Sequence, residues 1–234
     1  MIVSCCNFNE YYFRQLKVML YSLSVNSPND RAKVFLVDFP NGEVDKLKSY
    51  FGNYIFVNRN LGVTNTDDAA DFMVSYRSIV VLETFDEYKE TIAWFDNDLI
   101  IRKPLDDFWK DITPNSLKVL VRETDDVTCI FQCGVFAVGY SEATRRYLVD
   151  YNDAVQKERK WIGEQRELYL QFKKHENDIN LVPMNITYND VGDRKKKCFN
   201  AESHIWHSKS KHFTKKKFRK AFNWCYKQYE KKSR

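Results

Sequence analysis

The chain has 234 residues, 44% of them hydrophobic and 15% aromatic, enough for one large domain with a buried core and too much for intrinsic disorder. No apolar run is long enough to cross a bilayer, and the apolar start Met1 to Cys6 gives way to Asn7, Asn9 and Glu10, too early for a signal peptide, so a cytosolic, non-secreted protein is expected. The net charge of +5 is uneven: residues 208–234 hold eleven Lys or Arg against the single acid Glu230, while the rest carries 26 basic and 31 acidic residues, so only the tail suits a polyanion.

Residues 2–6 predict a buried first strand, and apolar spacing over 13–23 predicts a helix. KVFLVDF (33–39) predicts a second strand ending at an acid, 44–51 a short helix and 54–57 a third strand. Such alternation argues for a mainly parallel sheet. Residues 71–88 read as one or two helices, followed by a strand over 91–95 that stops where acids begin. Open parallel sheets bind ligands beyond the carboxyl ends of their strands, so Asp96 and Asp98 fall where a site is expected. Further strands are predicted at 118–122 and 133–138, and helices at 141–160 and 163–174. No repeat or linker divides the chain, which ends in a basic appendage. In the tail, Phe218, Phe222, Cys225 and Tyr229 recur at spacings of three and four, predicting an amphipathic helix over 213–234. Its apolar side either packs on the body or meets an anionic membrane surface.

The six cysteines show no short paired spacing, so thiols are expected rather than a zinc or redox motif. The seven glycines, at 42, 52, 62, 134, 139, 163 and 192, form neither a P-loop nor a dinucleotide fingerprint. Nothing resembles the elbow of a serine hydrolase.

The strongest local signal is Trp94-Phe95-Asp96-Asn97-Asp98, leading into Leu99-Ile100-Ile101-Arg102-Lys103-Pro104-Leu105. Two carboxylates one residue apart beyond a buried strand can both reach one divalent cation, and their oxygens suit Mg²⁺ or Mn²⁺. Alone the triplet is weak, because Asp and Asn are ordinary turn residues. In context it resembles the aspartate motif of GT-A glycosyltransferases, particularly the glycogenin-like and galactosyltransferase group.

That resemblance implies a single-domain α/β GT-A fold over residues 1–212, Rossmann-like, with a mixed, mainly parallel sheet and helices on both faces. It also implies metal-dependent transfer of a sugar from a nucleotide-diphosphate donor, UDP-sugar above all, to a hydroxyl on a glycan, protein or lipid. Asp96 would contact ribose or metal and Asp98 the metal, Mn²⁺ or Mg²⁺. Arg77, in Ser75-Tyr76-Arg77-Ser78, would lie near the donor diphosphate. In Phe131-Gln132-Cys133-Gly134-Val135, Gly134 would line the sugar cleft and Gln132 stands where the family has Asn. Glu164 and Gln165 resemble the Asp-Gln pair beside the transferred sugar, with Glu164 as base, nucleophile or oxocarbenium stabiliser. His207 would complete the metal site, Lys209 and Lys211 would clamp the diphosphate, and His204 would be structural. Asp38 and the loop from Cys6 to Asn9 could hold the base or ribose. Two other functions compete: nucleic-acid binding through the tail, disfavoured by the acidic body, and a catalytically inactive sugar-nucleotide binder.

Overall fold

The computed structural model describes residues 1–63, 69–160, 163–192, 199–208 and 216–233. Its first strand, β1 (Ile2–Asn7), is buried at every position, as a parallel strand covered on both faces must be. Helix α1 (Glu10–Asn26) starts earlier than its apolar periodicity suggests because Asn9 caps it, accepting from the Tyr11 N–H. Strand β2 (Ala32–Val37), helix α2 (Asn41–Tyr50), strand β3 (Ile55–Arg59), helix α3 (Ala69–Tyr88) and strand β4 (Ile92–Phe95) continue the alternation. Then follow β5 (Leu99–Ile101), α4 (Asp106–Trp109), β6 (Ser116–Val121), β7 (Phe131–Val138), α5 (Glu142–Glu158), α6 (Gly163–His175), β8 (Asn180–Pro183), β9 (Ile205–His207) and α7 (Lys216–Lys232).

The main sheet has seven strands in the order β3-β2-β1-β4-β7-β6-β8. Strands β1 to β4 are parallel, and β7 runs antiparallel to both β4 and β6. The sheet is therefore mixed and mainly parallel, as expected. Alternate residues of each strand point to opposite faces: Val34 and Leu36 pack with α1 and α7, whereas Phe35 and Val37 pack with α3, α5 and α6.

Strands β5, β8 and β9 and the short helix α4 were not expected from the sequence. Strands β5 and β9 are three residues each and pair across about a hundred residues of chain, Leu99 opposite His207. Windows that short carry no usable periodicity. The tail helix turns its apolar side inward: Phe218, Phe222, Cys225 and Tyr229 are buried in the cluster that includes α1. Tyr229 meets Tyr50 and Phe51 at 4.8 and 5.9 Å between ring centres. That side is consumed by packing, and the lysines form the outer face. No described helix is long and apolar enough to cross a membrane.

Candidate functional site

Asp96 and Asp98 occupy the turn leaving β4, at the carboxyl ends of the parallel strands. Two backbone contacts fix this turn: the Asp96 N–H donates to the Gly134 carbonyl at 2.9 Å, and the Ser208 N–H donates to the Asp98 carbonyl at 3.1 Å. The β5–β9 pairing then carries His207 to the acids. Its Nε2 lies 3.0 Å from Asp98 Oδ1 and 3.5 Å from Asp96 Oδ2. One ligand atom from each of the three residues falls within 4.8 Å of the others. Gly134 makes this convergence possible. A Cβ there would stand 2.1 Å from His207 Cε1 and 2.9 Å from Asp96 Oδ2, so any side chain would displace both groups. The approach is shaped by a bulge in β7, where Val119 pairs with Phe136 but Leu120 pairs with Gln132, a device common beside functional sites.

The other half of the cleft is built on Arg77, which α3 buries almost completely. Its Nη2 donates to Asp96 Oδ1 at 2.7 Å, and its Nη1 donates to the Cys133 carbonyl at 3.2 Å and Sγ at 2.9 Å. Glu164 Oε1 lies 3.7 Å from the same Nη1. Trp94 adds a second donor to Asp96 Oδ1 at 2.7 Å and sets its ring 4.8 Å from the guanidinium. Burial opposes the Arg77 charge, but Asp96, Cys133 and Glu164 outweigh it and hold the guanidinium well above its ordinary pKa. Burial raises the Glu164 carboxyl, and Arg77 only partly offsets this. Glu164 Oε2, both amide atoms of Gln132 and the Tyr151 hydroxyl are buried without a hydrogen bond in the protein, a concentration of unsatisfied polar atoms that ordinary cores avoid.

Six residues named from the sequence thus meet in one cleft: Arg77, Asp96, Asp98, Gly134, Glu164 and His207. Gln132 lies beside them on β7. Gln165 donates to the Thr128 carbonyl and accepts from the Cys133 thiol at 3.6 Å, the same thiol that lies 3.5 Å from Glu164 Oε1. Asp38 has another occupation: its carboxylate accepts from the N–H groups of Leu61, Gly62 and Val63 at 2.6, 2.9 and 2.6 Å, closing the loop after β3. His204 stacks on Tyr188 at 4.6 Å and bonds the Pro104 carbonyl at 2.8 Å, a structural part. Lys209 and Lys211 lie outside the described residues.

Sequence reading missed Trp94, Cys133 and Asn189 as parts of the site. Asn189 is completely buried and reaches His207 from a polar stretch with no recognisable pattern. No disulfide forms among the described cysteines. Burial pushes the Cys5 thiol up to about 12 and that of Cys6 higher still, which disfavours the thiolate at both.

No protein-family model matches the chain, and no curated protein sequence matches it. Solved structures do. The glycosyltransferase GlyE of Streptococcus pneumoniae TIGR4 superposes with a TM-score of 0.63 at 17% identity, covering 99% of this chain and 63% of GlyE. This chain therefore spans less than two thirds of that protein. The galactosyltransferase LgtC, solved with donor and acceptor sugar analogs, gives a TM-score of 0.61 at 13% identity, with 95% of each chain covered. Mouse xyloside xylosyltransferase 1 gives 0.58 at 11% identity over 90% of this chain and 98% of its own. The fold is that of the GT-A glycosyltransferases.

Proposed function

We propose that this chain is a metal-dependent glycosyltransferase that moves a sugar from a nucleotide-diphosphate donor, a UDP-sugar first among candidates, to an acceptor hydroxyl on a glycan, protein or lipid. The observation that carries the reading is the convergence of Asp96, Asp98 and His207 behind the side-chain-free Gly134. Two carboxylates and an imidazole fit Mn²⁺ or Mg²⁺, and such an ion, when bound, neutralises charge on a departing diphosphate. Asp96, Asp98 and His207 would hold it.

The protein's own groups divide the remaining work. Arg77 and Trp94 both donate to Asp96 Oδ1, which leaves Oδ2 turned toward His207. The unsatisfied Gln132 amide is suited to sugar hydroxyls. Glu164, next to Arg77 and with Oε2 unbonded, is suited to stabilise positive charge at the anomeric carbon, to attack it, or to take the acceptor's proton. The exposed rings of Phe8, Tyr11 and Tyr12 follow β1 at the same end of the sheet and offer a surface for a nucleotide base. Lys209 and Lys211 would reach the diphosphate. The outer lysines of α7 leave charge alone for any contact with an anionic membrane.

A thermal-shift screen of nucleotide sugars with and without Mn²⁺ tests the reading, because a ligand of the native state raises stability by mass action. The expected result is a rise for a UDP-sugar that requires Mn²⁺, with slow hydrolysis of the same donor. No shift and no hydrolysis with any nucleotide sugar would overturn it.

A further inference from the structure

His207 can present a lone pair at Nε2 only if its ring proton sits on Nδ1, and two neighbours decide where that proton goes. The first is the Gln132 carbonyl on β7, a group that can only accept. Asn189 Nδ2 donates to it at 3.3 Å. An amide whose nitrogen is committed there turns its oxygen the other way, and Asn189 Oδ1 lies 2.8 Å from His207 Nδ1. An amide oxygen can only accept, so Nδ1 must carry the proton. Turning the amide over would bring two carbonyl oxygens together, a costly arrangement for a residue with no exposed surface. A fixed backbone carbonyl thus sets the amide orientation, the amide sets the proton on Nδ1, and the neutral ring keeps its lone pair at Nε2.

Nε2 faces Asp98 Oδ1, 3.0 Å away, and Asp96 Oδ2, 3.5 Å away. The backbone that carries the ring is held as well. The His207 N–H donates to the Asp190 carbonyl at 2.8 Å, one residue beyond Asn189. The Asp190 carboxylate accepts from the N–H groups of Gly192 and Asn200 at 2.6 and 2.8 Å and from the Ser203 hydroxyl at 2.6 Å. Asn189 and His207 therefore belong to one hydrogen-bonded unit.

We infer that Asn189 is the positioning residue of the metal centre, fixing His207 as the Nδ1–H tautomer so that Nε2 faces the carboxylates as a ready ligand; the inference rests on the metal-dependent reading above. Partners of this kind, on the far nitrogen of a ligating histidine, alter metal affinity by about 10–100-fold when removed.

The test compares wild-type protein with Asn189→Leu and Asn189→Asp, titrating Mn²⁺ and following the free ion by electron paramagnetic resonance. Thermal unfolding without metal reports whether each variant is folded. Asn189→Leu is expected to weaken Mn²⁺ binding by about 10–100-fold, and Asn189→Asp to weaken it less, because its carboxylate still accepts from Nδ1–H but sets an oxygen against the Gln132 carbonyl. A long-range ¹H–¹⁵N spectrum of metal-free wild-type protein at mildly alkaline pH is expected to show Nδ1 as a protonated ring nitrogen. This measurement needs no variant to fold. A bare Nδ1, or wild-type Mn²⁺ affinity in a folded Asn189→Leu protein, overturns the role of Asn189 and leaves the metal reading intact. A wild-type protein that ignores Mn²⁺ overturns the metal reading itself, and the role of Asn189 with it.

Discussion

On the Glu164 side of the cleft, negative groups meet a cation: Arg77 lies 2.7 Å from Asp96 and 3.7 Å from Glu164, stacked beside Trp94. On the His207 side, two carboxylates converge on an imidazole, with Nε2 3.0 Å from Asp98 Oδ1 and 3.5 Å from Asp96 Oδ2. Asp96 belongs to both sides, with Oδ1 turned to Arg77 and Oδ2 to His207. The first side holds its own cation, whereas the second gathers the three groups that could hold a metal ion. Loss of the cation from the first should therefore register in stability, and loss of a carboxylate from the second in ligand binding and turnover.

The largest effect should come from breaking the balanced side. Arg77→Met leaves Asp96 and the buried Glu164 without their cation and is expected to cost about 3–5 kcal/mol of stability, read by denaturant unfolding without metal. A loss below about 1 kcal/mol, ordinary for an arbitrary substitution, would erase the distinction between the two sides.

Asp98→Asn is the matching cut on the other side. Turnover should fall by about 10²–10³-fold, or about 3–4 kcal/mol of transition-state stabilisation. Metal-free stability should change far less than for Arg77→Met, because the Asn keeps a side-chain oxygen and the backbone bond to the Ser208 N–H. Steady-state kinetics and a paired melting curve check this, and a destabilisation as large as that of Arg77→Met would count against it.

Glu164→Gln sharpens the comparison because Glu164 pairs with Arg77 yet remains raised by burial. Turnover is expected to fall by about 10²-fold with a smaller change in donor KM, the pattern of a group that acts mainly in the transition state. A carboxyl raised on folding contributes stability that is fully present below its unfolded value and lost as pH rises through its folded value. The stability of Glu164→Gln relative to wild type should therefore climb as pH rises from the ordinary 4.5, levelling off above the raised value. A gap that closes with rising pH would mean that Arg77 outweighs burial at Glu164.

How much of this was legible in the sequence follows the range of the interactions. The parallel half of the sheet announced itself, because β1, β2 and β4 are continuous apolar runs and each signal lies within its own strand. Asp96, Asp98 and Arg77 were legible through a motif and its order along the chain. The relation between them was not, since nothing in the sequence states that one guanidinium binds both Asp96 and Glu164. His207 was named as a ligand while β9, which carries it, was missed, because a three-residue strand is defined by its distant partner Leu99. Asn189 was invisible for the same reason: its role lies in a carbonyl 57 residues away and in the tautomer that this carbonyl dictates.

The smallest effect is expected farthest from the cleft, on α7. Four of its residues, Phe218, Phe222, Cys225 and Tyr229, are buried, whereas Lys216, Lys220, Lys227 and Lys231 are exposed. At 100° per residue these lysines fall along one ridge opposite the buried side. Charge on such a ridge is solvated before and after folding, so it lacks the leverage that burial gives Arg77. Lys220→Glu and Lys227→Glu, alone or together, should shift unfolding by no more than about 0.5 kcal/mol and leave turnover on a small acceptor unchanged. Weakened binding to anionic vesicles, most visible at low salt, would be the expected trace of these lysines if the ridge meets a membrane by charge alone. A stability loss approaching that of Arg77→Met would show instead that the ridge is buried in the working protein, and the contrast between cleft and surface would fail at its simplest point.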